Sequence, residues 1–191
     1  PEEKTAPVPA EGELHEDHET ALESLASICT VLAIGLFVMT FIFQNFEIPS
    51  ASMEKTLLIG DHVLVDRTTL APPTSWAPFV YYRNVHRGDV IVFLKPGEPD
   101  LYLVKRCIGI PGDRIHLQDG VVYVNGARSN EPYVQHADDR SFPEVIVPPG
   151  ALYVLGDNRA ISDDSRFWGF VQDDQVMGKA VAGIWPHLGM L

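Results

Sequence analysis

The pattern of apolar and polar positions divides the chain in two. From Leu25 to Phe43 (LASICTVLAIGLFVMTFIF) nineteen residues pass with no charge and no polar stripe. At ~1.5 Å per residue such a helix is about 28 Å long, close to the hydrocarbon thickness of a bilayer. A buried core helix is the bland alternative, but the length without a polar face favours a membrane. A cleaved signal peptide would carry a basic flank and a shorter apolar core, whereas this flank is acidic. The pattern predicts one transmembrane helix over residues 24–44.

Beyond Phe43 the period shortens to two. His62–Asp66, Asp89–Phe93, Leu101–Lys105, Arg114–Leu117, Val121–Val124, Val145–Val147, Ala151–Leu155 and Lys179–Trp185 all read as strands. Gly60-Asp61, Arg87-Gly88-Asp89, Pro111-Gly112-Asp113, Asn125-Gly126 and Pro149-Gly150 punctuate them as turns. Gln118-Asp119-Gly120 followed by Val121–Val124 is a hairpin signal. No long helical pattern follows the apolar run. The expected fold is mainly β: a single N-terminal transmembrane helix, then a mostly antiparallel β-sheet domain over 45–191. Residues 71–85 and 127–144 read as irregular excursions.

Charge changes the picture at one end. The formal net charge of the 191 residues is −12, which excludes the basic face that nucleic-acid binding requires. Residues 1–23 hold eight acids and one base, a net of −7; with Pro7 and Pro9 they read as a solvated, disordered tail. His15-Glu16-Asp17-His18 could be imagined as a metal cluster, but two histidines in an acidic run read as solvated. Two cysteines, Cys29 and Cys107, exclude a disulfide scaffold and a multi-thiolate zinc site. With one basic residue before the apolar run, the positive-inside rule mildly opposes a cytoplasmic N-terminus.

Three places carry candidate chemistry. Ile48-Pro49-Ser50-Ala51-Ser52-Met53 follows the apolar run, and its serines would ordinarily just make a turn. Lys105 closes an apolar strand on the face of Leu103 and Cys107. It either snorkels at the strand end beside Arg106 or is buried, in which case desolvation would depress its proton affinity and make it a base. The third place is the polar loop Gly156–Gly169 (GDNRAISDDSRFWG), whose density suits function as well as a turn network.

These segments resemble the type I signal peptidases. Phe46–Arg67 (FEIPSASMEKTLLIGDHVLVDR) resembles that family's serine box. Arg87–Phe93 (RGDVIVF) and Leu103–Arg114 (LVKRCIGIPGDR) resemble the next two boxes, the second carrying the lysine. Gly156–Val171 (GDNRAISDDSRFWGFV) resembles the last box. The boxes stand in family order behind an apolar anchor, and the resemblance covers roughly residues 25–185.

The resemblance implies a membrane-bound serine endopeptidase with a Ser–Lys dyad and neither metal nor cofactor. By position, Ser52 matches the nucleophile and Lys105 the general base. Ser50 matches an oxyanion-hole hydroxyl acting with the Ser52 N–H, Ser162 the hydroxyl that orients the lysine, and Asp164 with Arg166 a structural ion pair. Phe46, Ile48, Pro49, Met53, Leu57, Val63, Val92 and Val104 match the walls of shallow pockets for small residues one and three positions before the scissile bond. The implied partners are signal peptides of secreted preproteins and the lipid bilayer, with no nucleic acid and a monomeric enzyme. The implied location is the inner or plasma membrane, crossed once, with the N-terminus cytoplasmic and the catalytic domain on the outer face. Lys55, Ala160 and Tyr102 depart from the family's usual proline, polar and acidic residues. Three other readings compete: a self-cleaving repressor with the same dyad, which would need a DNA-binding module; an anchored scaffold with the dyad unused; and a protease for one dedicated cargo.

Overall fold

The structure, a computed structural model, describes residues 21–70, 83–98 and 100–191. The acidic run 1–20 and most of the 71–85 excursion therefore lie outside the described residues. Helix α1 spans Ala21–Phe37 and continues as a π-helical turn over Val38–Ile42. Twenty-two residues make it long and apolar enough to cross a membrane, and none of the side chains of Ala21–Phe37 is buried, unlike those of a core helix. Among the described residues the helix already includes Ala21, ahead of the expected 24. It also ends earlier than 44: Phe43 takes an extended backbone (φ −117°, ψ 147°) and opens the first strand.

The β-domain contains two antiparallel sheets. Strands β1 (Phe43–Glu47), β2 (His62–Asp66), β3 (Val90–Leu94), β4 (Tyr102–Gly109), β9 (Ala151–Leu155), β10 (Val171–Gln172) and β11 (Val176–Trp185) form the larger sheet. Their order across it is β1-β2-β11-β3-β4-β9-β10, and β12 (Gly189–Met190) pairs with β11. The smaller sheet has the order β7-β6-β5-β8, from β5 (Arg114–Gln118), β6 (Val121–Val124), β7 (Ala127–Arg128) and β8 (Phe142–Ile146). A single-turn helix, α2 (Ser165–Trp168), follows β9. All eight expected strands are present within a few residues. The stretch 127–144, expected to be irregular, contributes β7 and the start of β8.

Alternation explains most of these elements. Along β2, Val63 and Val65 are buried while His62, Leu64 and Asp66 are half-buried, so one face makes core and the other does not. Strand β9 is buried at all five positions, as befits a continuous apolar run covered on both faces. The β5–β6 hairpin turns through Asp119 (φ 49°) and Gly120 (φ 76°), the two left-handed positions that favour Asp-Gly in a tight hairpin. Ile48, Met53, Leu57, Val63, Val65, Val90, Val92 and Ala180 make one core cluster, which binds the serine segment to β2, β3 and β11. A second, around Ile115, Val122, Tyr153 and Leu155, joins β9 of the larger sheet to the smaller sheet.

Charged pairs fasten the strand ends. Asp89, at the mouth of β3, accepts from Arg83 at 2.7 Å and from the His86 N–H at 2.9 Å, and lies 3.0 Å from Lys179 Nζ. Burial by itself would raise this carboxyl, but those donors outweigh it and hold the pKa at about 2. Asp113 follows the same logic, with Arg87, the Ile110 N–H and Asn125 as donors and a pKa of about 2. A carboxylate held below its unfolded value of ~3.9 contributes stability above that value and loses it as pH falls toward the folded one. Thermal melts should therefore show Tm declining between about pH 4 and pH 2, and Asp89→Asn should lower Tm at pH 7 while flattening that decline. An Asp89→Asn protein with wild-type Tm at neutral pH would show that the pair adds nothing.

Candidate active site

The segment after β1 must place a hydroxyl at the edge of an apolar core, and its backbone does so by a short detour. Ser50 is extended (φ −141°, ψ 156°) and Ala51–Met53 form one 3-10 turn. The detour is closed at its base, where the Ile48 N–H donates to the Asp61 carbonyl at 2.8 Å and the Gly60 N–H to the Ile48 carbonyl at 2.9 Å. Met53 is 1% exposed and acts as the plug. Ser52, beside it, is buried but for its opening to a cleft.

Lys105 reaches Ser52 from β4, where it pairs with Ile91 of β3. It is 2% exposed, and its Nζ lies 2.5 Å from Ser52 Oγ. Of the two readings the sequence leaves open, burial is the one realised. Desolvation pulls the lysine pKa down to about 8, against the carboxylates of Asp164, Asp163 and Asp157, which favour the ammonium; Arg166 assists the lowering. A hydroxyl and an amine that is neutral in a sizeable fraction near pH 8 thus share one short hydrogen bond. That arrangement can move a proton off the hydroxyl.

The remaining residues sort by what they touch. Ser50 Oγ donates to Ser52 Oγ at 3.3 Å, beside the hydroxyl it is expected to assist. Asp164 and Arg166 form their ion pair at 2.8 Å with both side chains fully buried. Arg166 also donates to the Ser162 and Arg159 carbonyls and to Asp138, while Asp164 accepts the Gly156 N–H at 3.1 Å. The pair therefore shapes the loop that follows β9. Ser162 is brought to the site but not to the lysine: its Oγ is buried and has no hydrogen-bond partner among the described residues. It faces Gly156, where a Cβ would stand 2.2 Å from Ser162 Oγ and 2.5 Å from the Ser52 carbonyl oxygen. Only glycine lets the loop approach the serine this closely.

A cleft of about 290 Å³ opens beside Ser52. Phe46, Ile48, Pro49, Met53, Val92 and Val104 line it, together with Glu47, Ser50, Tyr102 and Leu103. Leu57 and Val63 do not line it. They are 1% and 0% exposed and pack in the core behind it, because β2 turns that side chain inward and Leu57 is drawn in by its N–H bond to the Met53 carbonyl. Tyr102 packs against Phe46 with ring centroids 5.6 Å apart.

One group of residues went unnoticed in the sequence. Arg106 binds Asp157 through two hydrogen bonds (2.9 and 2.6 Å) and lies over the Tyr133 ring at 4.0 Å. Asp157 also accepts from Thr56 Oγ1 at 2.5 Å, and the Asn158 N–H donates to the Ser52 carbonyl at 3.0 Å. The lysine strand, the serine segment and the last loop are thereby tied together. The sequence signals this only through the adjacency of Arg106 to Lys105, since alternation along a strand puts neighbouring side chains on opposite faces.

Comparisons with known proteins identify the family. The family described as signal peptidase, peptidase S26, matches residues 21–185. A signal peptidase I of Leptolyngbya laminosa is 34% identical over 172 residues, covering 86% of this chain and 80% of that protein. One from Bacillus caldolyticus is 35% identical, covering 84% and 87%. A signal peptidase IB of Staphylococcus aureus is 31% identical, covering 86% and 90%. With the family matched over most of its length, the chain belongs to the S26 signal peptidases and is a hydrolase of that family.

Proposed function

We propose that this chain removes N-terminal signal peptides from exported preproteins with a Ser52–Lys105 dyad, cutting after small residues at −1 and −3. The observation that carries the reading is the 2.5 Å contact between Lys105 Nζ and Ser52 Oγ inside a buried environment. Neutral Lys105 takes the proton as Ser52 Oγ attacks the scissile carbonyl, and the C–N bond breaks when the resulting ammonium protonates the leaving amine. A water then hydrolyses the acyl-serine with Lys105 again as base. Ser50 Oγ and the Ser52 N–H stabilise the developing oxyanion. Ser162 serves by turning its unpartnered hydroxyl toward the amine, and Asp164–Arg166 hold its loop.

The apolar cleft suits short side chains, since Met53, Val92, Val104 and the packed rings of Phe46 and Tyr102 line a volume of only about 290 Å³. In this reading residues 1–23 are the tail, the apolar helix is a single membrane anchor, and 45–191 the catalytic domain. The N-terminus is cytoplasmic, the catalytic domain lies on the outer face of the inner or plasma membrane, and the enzyme works as a monomer without nucleic acid.

Cleavage of a model preprotein with an A-x-A site by detergent-solubilised protein tests the assignment. Ser52→Ala and Lys105→Met should each abolish cleavage while circular dichroism stays that of the wild type; turnover in either would overturn the dyad, and an anchored scaffold would be indifferent to both.

Ser50→Ala should lower kcat by on the order of 10²–10³, because the backbone donor remains. An unchanged kcat would return Ser50 to a turn residue.

The pH profile supplies the third check. A base must be unprotonated in free enzyme, so kcat/KM should rise about tenfold per pH unit on the acid side and level off above about 8, where Lys105 loses its proton. Ser162→Ala should reduce the plateau. A profile that is flat between pH 6 and 9 would exclude Lys105 as the base.

A further inference from the structure

The stretch between β7 and β8 lies outside the dyad, yet it grips the last loop at several points. Glu131 is its most constrained member, with a side chain only 10% exposed. Its two carboxylate oxygens accept from the two terminal nitrogens of Arg159, each at 2.8 Å. Arg159 is itself 2% exposed, and its Nε donates to the Gly156 carbonyl at 2.9 Å. The Tyr133 hydroxyl adds a third donor to Glu131, at 3.1 Å. A little further on, the His136 carbonyl accepts the Ala160 N–H at 3.2 Å.

Two of these contacts lead directly to the reacting pair. Gly156 is the residue whose backbone crowds the Ser52 carbonyl too closely for a Cβ, so Arg159 holds that backbone from the side away from the serine. The Tyr133 ring carries Arg106 at 4.0 Å, and Arg106 follows Lys105 on β4 and clasps Asp157. One carboxylate therefore orients both Arg159, behind the serine, and Tyr133, behind the lysine strand. None of Glu131, Tyr133 and Arg159 lines the cleft beside Ser52. We propose that Glu131 is a positioning residue for the dyad, which by fixing Arg159 and Tyr133 together sets the Gly156 backbone against Ser52 and the strand of Lys105. The inference rests on the reading of Ser52 and Lys105 as the reacting pair.

The geometry of the guanidinium makes this specific. A planar fork held at both tips cannot rotate, so its third donor stays aimed at the Gly156 carbonyl. Glutamine at position 131 keeps the size but turns an amide N–H toward an arginine N–H, donor against donor. The fork is then held at one tip, and the Gly156 peptide is free to shift. A small displacement at the reacting atoms slows the chemical step and leaves ground-state binding in the cleft alone. A brace that only stabilises the fold would lower Tm without changing kcat of the folded enzyme. A role in holding substrate would raise KM instead.

The test is steady-state cleavage of the A-x-A preprotein by full-chain, detergent-solubilised protein, on the alkaline plateau and well below Tm. Glu131→Gln should lower kcat on the order of tenfold with KM within about twofold of wild type. Arg159→Lys, which keeps the charge but cannot hold Glu131 and Gly156 at once, should lose about as much. The double variant should be no slower than either single one, because both cut the same path. Should Glu131→Gln fail to fold, Tyr133→Phe reads the same carboxylate with every charge and the ring kept, and its kcat should fall about threefold. Wild-type kcat in a folded Glu131→Gln, a change in KM alone, or single losses that multiply in the double variant overturn the proposal. So does a wild-type kcat in Tyr133→Phe where Glu131→Gln does not fold. Lys105→Met separates the two layers: turnover there makes the dyad itself wrong, whereas an inactive Lys105→Met beside a fully active Glu131→Gln refutes only the role of Glu131.

Discussion

The arrangement depends on keeping one amine out of water. A lysine that is 2% exposed with its pKa brought from 10.5 to about 8 marks a fold that disfavours the ammonium form by about 3 kcal/mol. Such a group persists only where the surrounding structure is rigid enough not to let water in. Strand β4 supplies that rigidity, paired with β3 on one side and β9 on the other. Neither neighbour is an edge strand, and the β9 pairing begins at Arg106, next to Lys105. The serine needs less: a tight turn and an apolar plug, which Ala51–Met53 provide.

Desolvation would be undone if free carboxylates crowded the site, and the last loop is rich in them. The structure handles this by pairing. Asp164 is bound to Arg166 and Asp157 to Arg106, all four nearly or fully buried, and the Arg–carboxylate geometry adds hydrogen bonds that fix the backbone. The same pairs therefore serve two ends. They give two of the carboxylates around Lys105 a cationic partner, and they hold the loop of Gly156, Asn158 and Ser162 beside the serine. Buried pairs of this kind contribute little net stability, which suggests that their value here is geometric.

Much of the fold was legible in the sequence because its signals are local. The uncharged run, the alternation in β2 and the Asp119-Gly120 turn each depend on a few adjacent residues. Strand β1 was not legible: FQNFE sits at the end of an apolar run and becomes a strand only through its register with β2, Phe43 against Asp66 and Glu47 against His62. Pocket walls were partly illegible for a related reason. Leu57 and Val63 have the same character as Ile48 and Val92, and composition does not say which side of the backbone meets the cleft. Ser162 shows the limit of position as a guide, since proximity to the site did not bring its hydroxyl onto the amine.

The meeting of Ser52 and Lys105 is the least local feature. They are separated by 53 residues, and no periodicity in either segment requires the other; only the ordered boxes connected them. The structure supplies the physical link in Asp157, which accepts at once from Arg106 beside the lysine and from Thr56 beyond the serine. Loop closure over such separations is costly in entropy, so a contact that serves both partners from a third segment is more effective than two separate ones. Gly156, immediately before Asp157, completes the reasoning: with no Cβ it lets that third segment sit within contact of the Ser52 carbonyl. The apparent density of polar residues in the last loop is therefore the signature of a clamp that closes on the serine and the lysine together.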